Sequence, residues 1–159
     1  MLKTIVILTV IFGVGSAARI SSSLALPFEA ETEFAVGDEL SIVGLVDENN
    51  IHIKFYRSEK DYIQLNISYY DENRIDVRFD NYAETYPEEQ PEFTINSFPR
   101  FGHVELILSF TEYGIELAYG VRKGERKFVQ ILNHPVDDYA KIHSIYIKGF
   151  KSLSEVNKQ

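Results

Sequence analysis

Three polar side chains alternate with apolar ones in the segment 63–68: Gln64, Asn66 and Ser68. In a β-strand, residues two positions apart lie on one face, about 7 Å from each other. The segment therefore predicts a row of hydrogen-bond donors and acceptors on one sheet surface, with the apolar residues directed into a core. An ordinary solvated sheet face has the same pattern, and the row taken alone favours that interpretation.

An aromatic residue and several carboxylates follow further along the chain. Tyr86 precedes the acidic, proline-bounded segment 87–91, which contains Glu89. The apolar face of a pyranose packs on an aromatic ring, while its hydroxyls need fixed hydrogen-bond partners. Beside the polar row, these residues form a candidate carbohydrate site. The alternative is that 87–91 is only a charged loop.

The polar row also contains the only Asn-x-Ser/Thr sequon of the sequence, Asn66-Ile67-Ser68. A glycan on Asn66 would rise from the same face that is proposed for ligand binding. If the sequon lies within a buried strand, glycosylation would skip it.

The sequence offers little for catalysis. It has no cysteine, which excludes thiol catalysis, disulfide scaffolds and Cys-ligated zinc. The adjacent carboxylates at 88–89 and 137–138 would face opposite sides of a strand, so neither pair forms an acid/base dyad by itself. The four histidines have no short metal-ligand spacing, and no Gly-x-Ser-x-Gly or glycine-rich phosphate loop occurs. We expect no enzyme activity, no metal and no cofactor.

The chain has 159 residues, of which 45% are hydrophobic, and a formal net charge of −8. This length suits one domain with a substantial core. Nucleic acids and anionic membranes both require a cationic protein surface, so the negative charge argues against either as the main partner.

The first eighteen residues have the features of a secretory signal peptide. A short basic start is followed by the apolar run 4–14 and by small residues, so cleavage after Ala17 or Ala18 is expected. An uncleaved membrane anchor is the minor alternative, because the apolar run is too short for a hydrocarbon core of about 30 Å. We therefore expect a secreted, extracellular protein with no membrane span in the mature chain.

The rest of the chain predicts strands. Period-2 alternation recurs between turn-forming residues, with about ten short strands at near-regular spacing and no convincing amphipathic helix, which is typical of an all-β sandwich. The expected domain covers 26–150, and 151–159 is expected to be a frayed polar tail. The predicted strands are 40–46, 51–56, 63–68, 74–79, 93–95, 104–110, 114–119, 127–132 and 142–148.

The order of these segments resembles a galectin carbohydrate-recognition domain. Phe34 to Gly44 is similar to the first strands of that family, with their Gly-Asp turn. Residues 51–55 and 63–66 resemble its paired "I-N-F … L-H-x-N" strands, and 98–108 its Pro-Phe-x-x-Gly run into a long strand. Residues 130–134 resemble "F-x-F-N-H-R", and 145–149 the closing "L-x-I-x-G" strand.

The resemblance implies an antiparallel two-sheet jelly-roll sandwich, with a β-galactoside groove on its concave face. The family's His-x-Asn-x-Arg falls on Gln64, Asn66 and Ser68, so the Asn is kept while the Arg is lost. The next strand's Asn falls on Asp80, because Val77 and Phe79 then stay inward.

Three further positions of the family's site fall at 86–91. The stacking Trp falls on Tyr86 and the Glu on Glu89, while the second Arg becomes Pro91. Guanidinium groups bind sugar oxygens through a planar fork that Ser or Pro cannot imitate. The two losses predict weakened lactose binding and an altered specificity.

Two functions follow from the resemblance. The first is a secreted galectin-like lectin that binds glycans or glycoproteins with altered specificity. The second is a non-catalytic module whose sugar site is vestigial and which binds protein or serves structurally. The presence of Asn66, Tyr86 and Glu89 together favours the lectin; the sequence leaves the oligomeric state open.

Overall fold

The structure is a computed structural model that describes residues 24–72, 74–82, 88–89, 93–94, 98–122, 124–132 and 136–159. The signal peptide predicted at 1–18 lies outside these residues. The described part contains one short 3₁₀ helix, Val136–Lys141. Its twelve strands are β1 (Phe28–Glu31), β2 (Glu39–Asp47), β3 (Ile51–Ser58), β4 (Asp61–Asp71), β5 (Arg74–Tyr82), β6 (Glu88–Glu89), β7 (Phe93–Thr94), β8 (Phe101–Thr111), β9 (Gly114–Gly120), β10 (Lys127–Leu132), β11 (Ser144–Lys148) and β12 (Ser152–Lys158).

The strands form two antiparallel sheets. One has seven strands in the order β1-β11-β3-β4-β5-β6, with β7 also paired to β5, and the other has five in the order β10-β9-β8-β2-β12. Period-2 alternation buries one face of each strand between the sheets: the apolar residues at 63, 65 and 67 of β4 are fully buried, while the polar row between them is half-buried. The predicted all-β, antiparallel two-sheet sandwich is confirmed.

Aromatic rings fill the centre of the core. Phe34 stacks on Phe110 with ring centroids 4.1 Å apart, and Phe55 meets both rings edge-on. Tyr139, on the 3₁₀ helix, packs edge-on against Phe110 and is 1% exposed. Its hydroxyl donates a hydrogen bond to the carbonyl of Thr111, at 3.0 Å. Through its ring and its hydroxyl, Tyr139 thus packs the helix against the end of β8.

The Tyr139 hydroxyl makes a testable prediction about alkaline stability. Burial raises the pKa of Tyr139 from 10.0 to about 12. Above pH 10 the unfolded chain therefore loses this proton before the folded chain does, and stability falls as the pH approaches 12. At pH 8 we expect Tyr139→Phe to cost about 1 kcal/mol through the lost hydrogen bond. Urea melts should show that difference shrinking by pH 11; an unchanged difference would contradict the prediction.

A buried arginine joins the helix to the seven-stranded sheet. The Arg57 side chain, 5% exposed, forms ion pairs with Asp61 at 2.5 Å and Asp138 at 3.5 Å. Its Nη2 also donates to the side-chain oxygen of Asn81 at 2.6 Å. Asp138 pairs with Lys141 as well. One guanidinium therefore connects β3, β4, β5 and the 3₁₀ helix at one end of the sheet.

The prediction of a frayed tail at 151–159 was wrong. Residues 152–158 form β12, an edge strand paired with β2, and the side chain of Leu153 is fully buried. The register shifts between Leu153 and Glu155. Because of this bulge, Leu153 and Val156 both reach the core although they are three residues apart, and the simple period-2 pattern is lost. No helix in the described part of the chain is long and apolar enough to cross a membrane.

Candidate functional site

The polar row lies on the outer face of the seven-stranded sheet. Strand β4 is held between β3 and β5, so the side chains of all three strands meet on that face. The cross-strand pairs between β4 and β5 are Gln64 with Asp80, Asn66 with Arg78, and Ser68 with Asp76. His52 of β3 lies opposite Asn66 on the other side.

Asn66 is the centre of a hydrogen-bond network. Its Nδ2 donates to Oδ2 of Asp80 at 2.9 Å. Its Oδ1 is 2.6 Å from Nδ1 of His52 and accepts a bond from Nε2 of Gln64 at 2.5 Å. Because an amide oxygen only accepts, the contact with His52 requires the tautomer that carries its proton on Nδ1. The amide is thereby held in one orientation by three strands' side chains.

Asp80 lies on the same face as Asn66, as the inward direction of Val77 and Phe79 predicts. Val77 and Phe79 are 0% and 1% exposed, while Asp80 is itself 1% exposed. Arg78 forms an ion pair with Asp80 at 2.9 Å, and its side chain is 33% exposed. The carboxylate is thus buried beneath a guanidinium that partly reaches solvent.

A second arginine–carboxylate pair continues this arrangement along β5. Arg74 pairs with Asp76, and the two side chains are 51% and 2% exposed. The guanidinium carbon of Arg74 lies 5.0 Å from the ring centroid of Tyr70, which is 61% exposed. Tyr70 shares the period-2 face of the polar row at the end of β4. It is an exposed ring beside a set of fixed hydrogen-bonding groups.

Seven residues of this face line a shallow pocket of about 260 Å³; Asp80 and Arg74, which lie beside them, do not line it. Sequence reasoning identified three of its seven lining residues and missed four: His52, Tyr70, Asp76 and Arg78. Alternation puts the side chains of His52, Asp76 and Arg78 outward on β3 and β5, but only the register between strands brings them beside the polar row; Tyr70 continues the row at the end of β4 itself. The sequence does not contain the cross-strand register, and without it the neighbours of the polar row on β3 and β5 could not be identified.

Of the two site residues predicted at positions 86 and 89, the structure describes only Glu89. Tyr86 lies outside the described residues. Glu89 belongs to β6, and its backbone pairs with Asp80 of β5. That pairing brings the chain position of Glu89 to the strand that carries Asp80 and Arg78, at the edge of the same sheet.

In the folded chain, the asparagine of the sequon makes hydrogen bonds within the protein. Asn66 is half-buried in the middle of β4, and its Nδ2, the atom that an N-glycan would modify, already donates to Asp80. An attached glycan would replace one of the two protons of this amide and crowd the contact with the buried carboxylate. Glycosylation of Asn66 and the observed network therefore compete for one atom.

The adjacent carboxylates of Asp137 and Asp138 do not form a second site. Asp137 is exposed, whereas its neighbour Asp138 pairs with Arg57 and Lys141, so these two carboxylates do not act together. Within the residues that the structure covers, no group of three or more His, Asp or Glu side chains is arranged to hold a metal ion.

The fold is similar to that of galectins. A single-substitution variant of human galectin-16 gives a TM-score of 0.64 at 18% identity, covering 87% of this chain and 98% of that one. A double variant of the same protein gives a TM-score of 0.65 at 17% identity and covers 87% of this chain and 98% of that one. Sheep galectin-11, in a complex with glycerol, gives a TM-score of 0.67 at 14% identity and covers 86% of this chain and 100% of that one.

No protein-family model matches the sequence, and no curated protein sequence matches it significantly. At these identities the structural likeness establishes the fold alone. The predicted galectin-like fold is thus confirmed. The altered binding motif and the absence of enzyme activity stay predictions.

Proposed function

We propose that this protein is a secreted galectin-like lectin that binds a glycan, or the glycan of a glycoprotein, on the outer face of the seven-stranded sheet. The observation that carries the proposal is the network around Asn66. Hydrogen bonds from His52 and Gln64 and to Asp80 fix the amide between three strands. A fixed row of donors and acceptors is what sugar hydroxyls require, because unoriented groups would lose rotamer freedom on binding.

Arginines of β5 take over the role of the two guanidinium groups that the motif lacks. Ser68 and Pro91 stand where the resemblance expects arginine. Arg78 lies opposite Asn66, and Arg74 lies four residues earlier on β5, opposite Asp71. Their partners Asp80 and Asp76 are buried, so each guanidinium is held by a charge-assisted bond. Because the arginines enter from a different strand, the sugar oxygens that they meet differ from those of the family's site. Altered specificity follows from this displacement.

Aromatic stacking has two candidate rings. Tyr86 is the one expected from the resemblance, and Tyr70 is an exposed ring at the rim of the pocket. An amphipathic ring beside oriented hydrogen-bonding groups suits the apolar face of a pyranose.

The second candidate function is a module that binds protein or serves structurally, with the sugar face closed by a glycan on Asn66. The engagement of the Asn66 amide with Asp80 argues against it. Occupancy of the sequon separates the two candidates, since a glycan there would cover the proposed site.

The test is a glycan array probed with the chain from Arg19 onward, made once in a host that N-glycosylates and once in one that does not. We expect specific binding from the unglycosylated preparation, and intact-mass measurement should find the sequon unoccupied in the other. Tyr86→Ala and Glu89→Ala should each weaken binding, while Glu112→Ala in the exposed β8–β9 turn should not. Absence of binding from both preparations would overturn the lectin proposal.

A further inference from the structure

A larger groove lies on the outer side of the same sheet, at the edge formed by β1. Its volume is about 660 Å³, within the range of small-ligand pockets. Cross-strand pairing places Glu31, Ser144 and Tyr56 in one rung. Glu29, Tyr146 and Lys54 form the second rung from it, on the same face of the sheet. The groove is separate from the polar pocket around Asn66, with which it shares no lining residue.

The rim of this groove is acidic. Glu29, Glu31 and Glu59 all line it and all three are exposed. Its lining contains no lysine or arginine, and within the described ranges none of the three carboxylates has an ion-pair partner. Three negative charges around one concavity raise the local concentration of a cationic ligand.

The floor of the groove is aromatic. Tyr56 and Tyr146 are half-buried and line it, and the ring of Tyr56 lies 5.4 Å from that of Tyr62. The ammonium group of Lys54 already lies 4.4 Å from the Tyr62 centroid and 5.9 Å from that of Tyr56. The shorter of these contacts is with Tyr62, which does not line the groove; Tyr56, which does line it, lies at the outer limit of a cation–π contact with the Lys54 ammonium.

We propose that the groove binds lysine or arginine side chains of a basic peptide segment on a partner protein. The carboxylates of the rim pair with the ammonium or guanidinium group, and the tyrosine rings cover the alkyl stem and the cation. A volume of about 660 Å³ accommodates more than one such side chain. This inference does not depend on the sugar site, since it uses other residues.

The proposal is tested with acetyl-trilysine amide as the probe and acetyl-triserine amide as its neutral control, by amide-shift NMR titration of the whole chain. We expect saturable shifts centred on β1 and β11 with the basic peptide at millimolar concentrations, and none with the neutral one. The triple variant Glu29→Gln, Glu31→Gln, Glu59→Gln should weaken binding about tenfold or more, since each exposed ion pair contributes up to several-fold.

A charge-matched variant separates this groove from the general negative charge of the protein. Glu72→Gln, Glu112→Gln and Asp137→Asn remove the same three charges at exposed positions outside the groove. This variant should bind within about threefold of the parent. Equal losses in both variants, shifts away from β1 and β11, or no binding to the parent chain would each overturn the proposal. Tyr146→Leu, which keeps the charge, should also weaken binding; thermal melts confirm that each variant is folded.

Discussion

Replacing Arg57 with alanine is expected to lower the free energy of unfolding by about 3 kcal/mol, in the range found when one member of a buried ion pair is removed. The guanidinium is 5% exposed and holds Asp61, Asp138 and Asn81 together. Alanine would remove the guanidinium from Asp61 and Asn81. It would leave Asp138 paired with Lys141 of the same helix, so the helix would lose this ion pair with the sheet. It would also leave a cavity where the arginine stem was packed.

Arg126→Ala is the matched control for this prediction. Arg126 makes a bidentate pair with Glu39, with both distances 2.6 Å, but its side chain is 55% exposed. The good geometry is therefore screened by water, and we expect a cost below about 1 kcal/mol. Urea unfolding at pH 7 measures both variants. Similar costs for Arg57 and Arg126 would show that burial of the guanidinium does not decide its contribution.

Replacing Asn66 with alanine is expected to weaken binding of the array-identified glycan about 100-fold. The substitution removes the amide that contacts His52, Gln64 and Asp80 in one network. On the proposed function, it removes hydrogen bonding of this amide to the sugar and also releases Asp80, which forms an ion pair with Arg78. Loss of two such contributions, one of them charge-assisted, corresponds to about two decades in Kd.

Ser68→Ala provides the comparison for Asn66→Ala, because both changes remove the sequon. Ser68 lies opposite Asp76 and takes no part in the network around Asn66. We expect its Kd to stay within about fivefold of the parent, in chain made without glycosylation and measured by calorimetry. Thermal melts check that both variants fold. Equal affinities of the Asn66 variant and the parent would place the ligand elsewhere on the protein.

The sequence predicts the faces of the strands well, because a side-chain period of two leaves little ambiguity in β3, β4 and β5. Parity alone put Asp80 on the outer face, and the burial of Val77 and Phe79 agrees with it. The same rule failed at β12, where the bulge between Leu153 and Glu155 hides the apolar pattern. It also passed over β1, since a four-residue edge strand is too short to stand out.

The partners of Asn66 could not be predicted in the same way. Which residue of β5 lies opposite Asn66 depends on the register across the β4–β5 turn, where the pairing shifts between Tyr69 and Asp71. A one-residue change in that turn would bring another side chain beside the amide. The sequence shows two arginines lost from the motif, and it does not show that Arg78 lies across the strand.

The amino-acid sequence by itself determined the fold class, the polar face and the absence of thiol chemistry, because composition and strand alternation act locally. Tertiary structure alone decided which side chains meet on the outer face of the seven-stranded sheet, both in the groove beside β1 and in the network around Asn66. Strand order places β1 and β11 beside β3, so glutamates and tyrosines distant in sequence meet in the acidic groove. The register between β4 and β5 places Arg78 opposite Asn66. Both depend on contacts between distant segments, which strand-by-strand patterns do not contain.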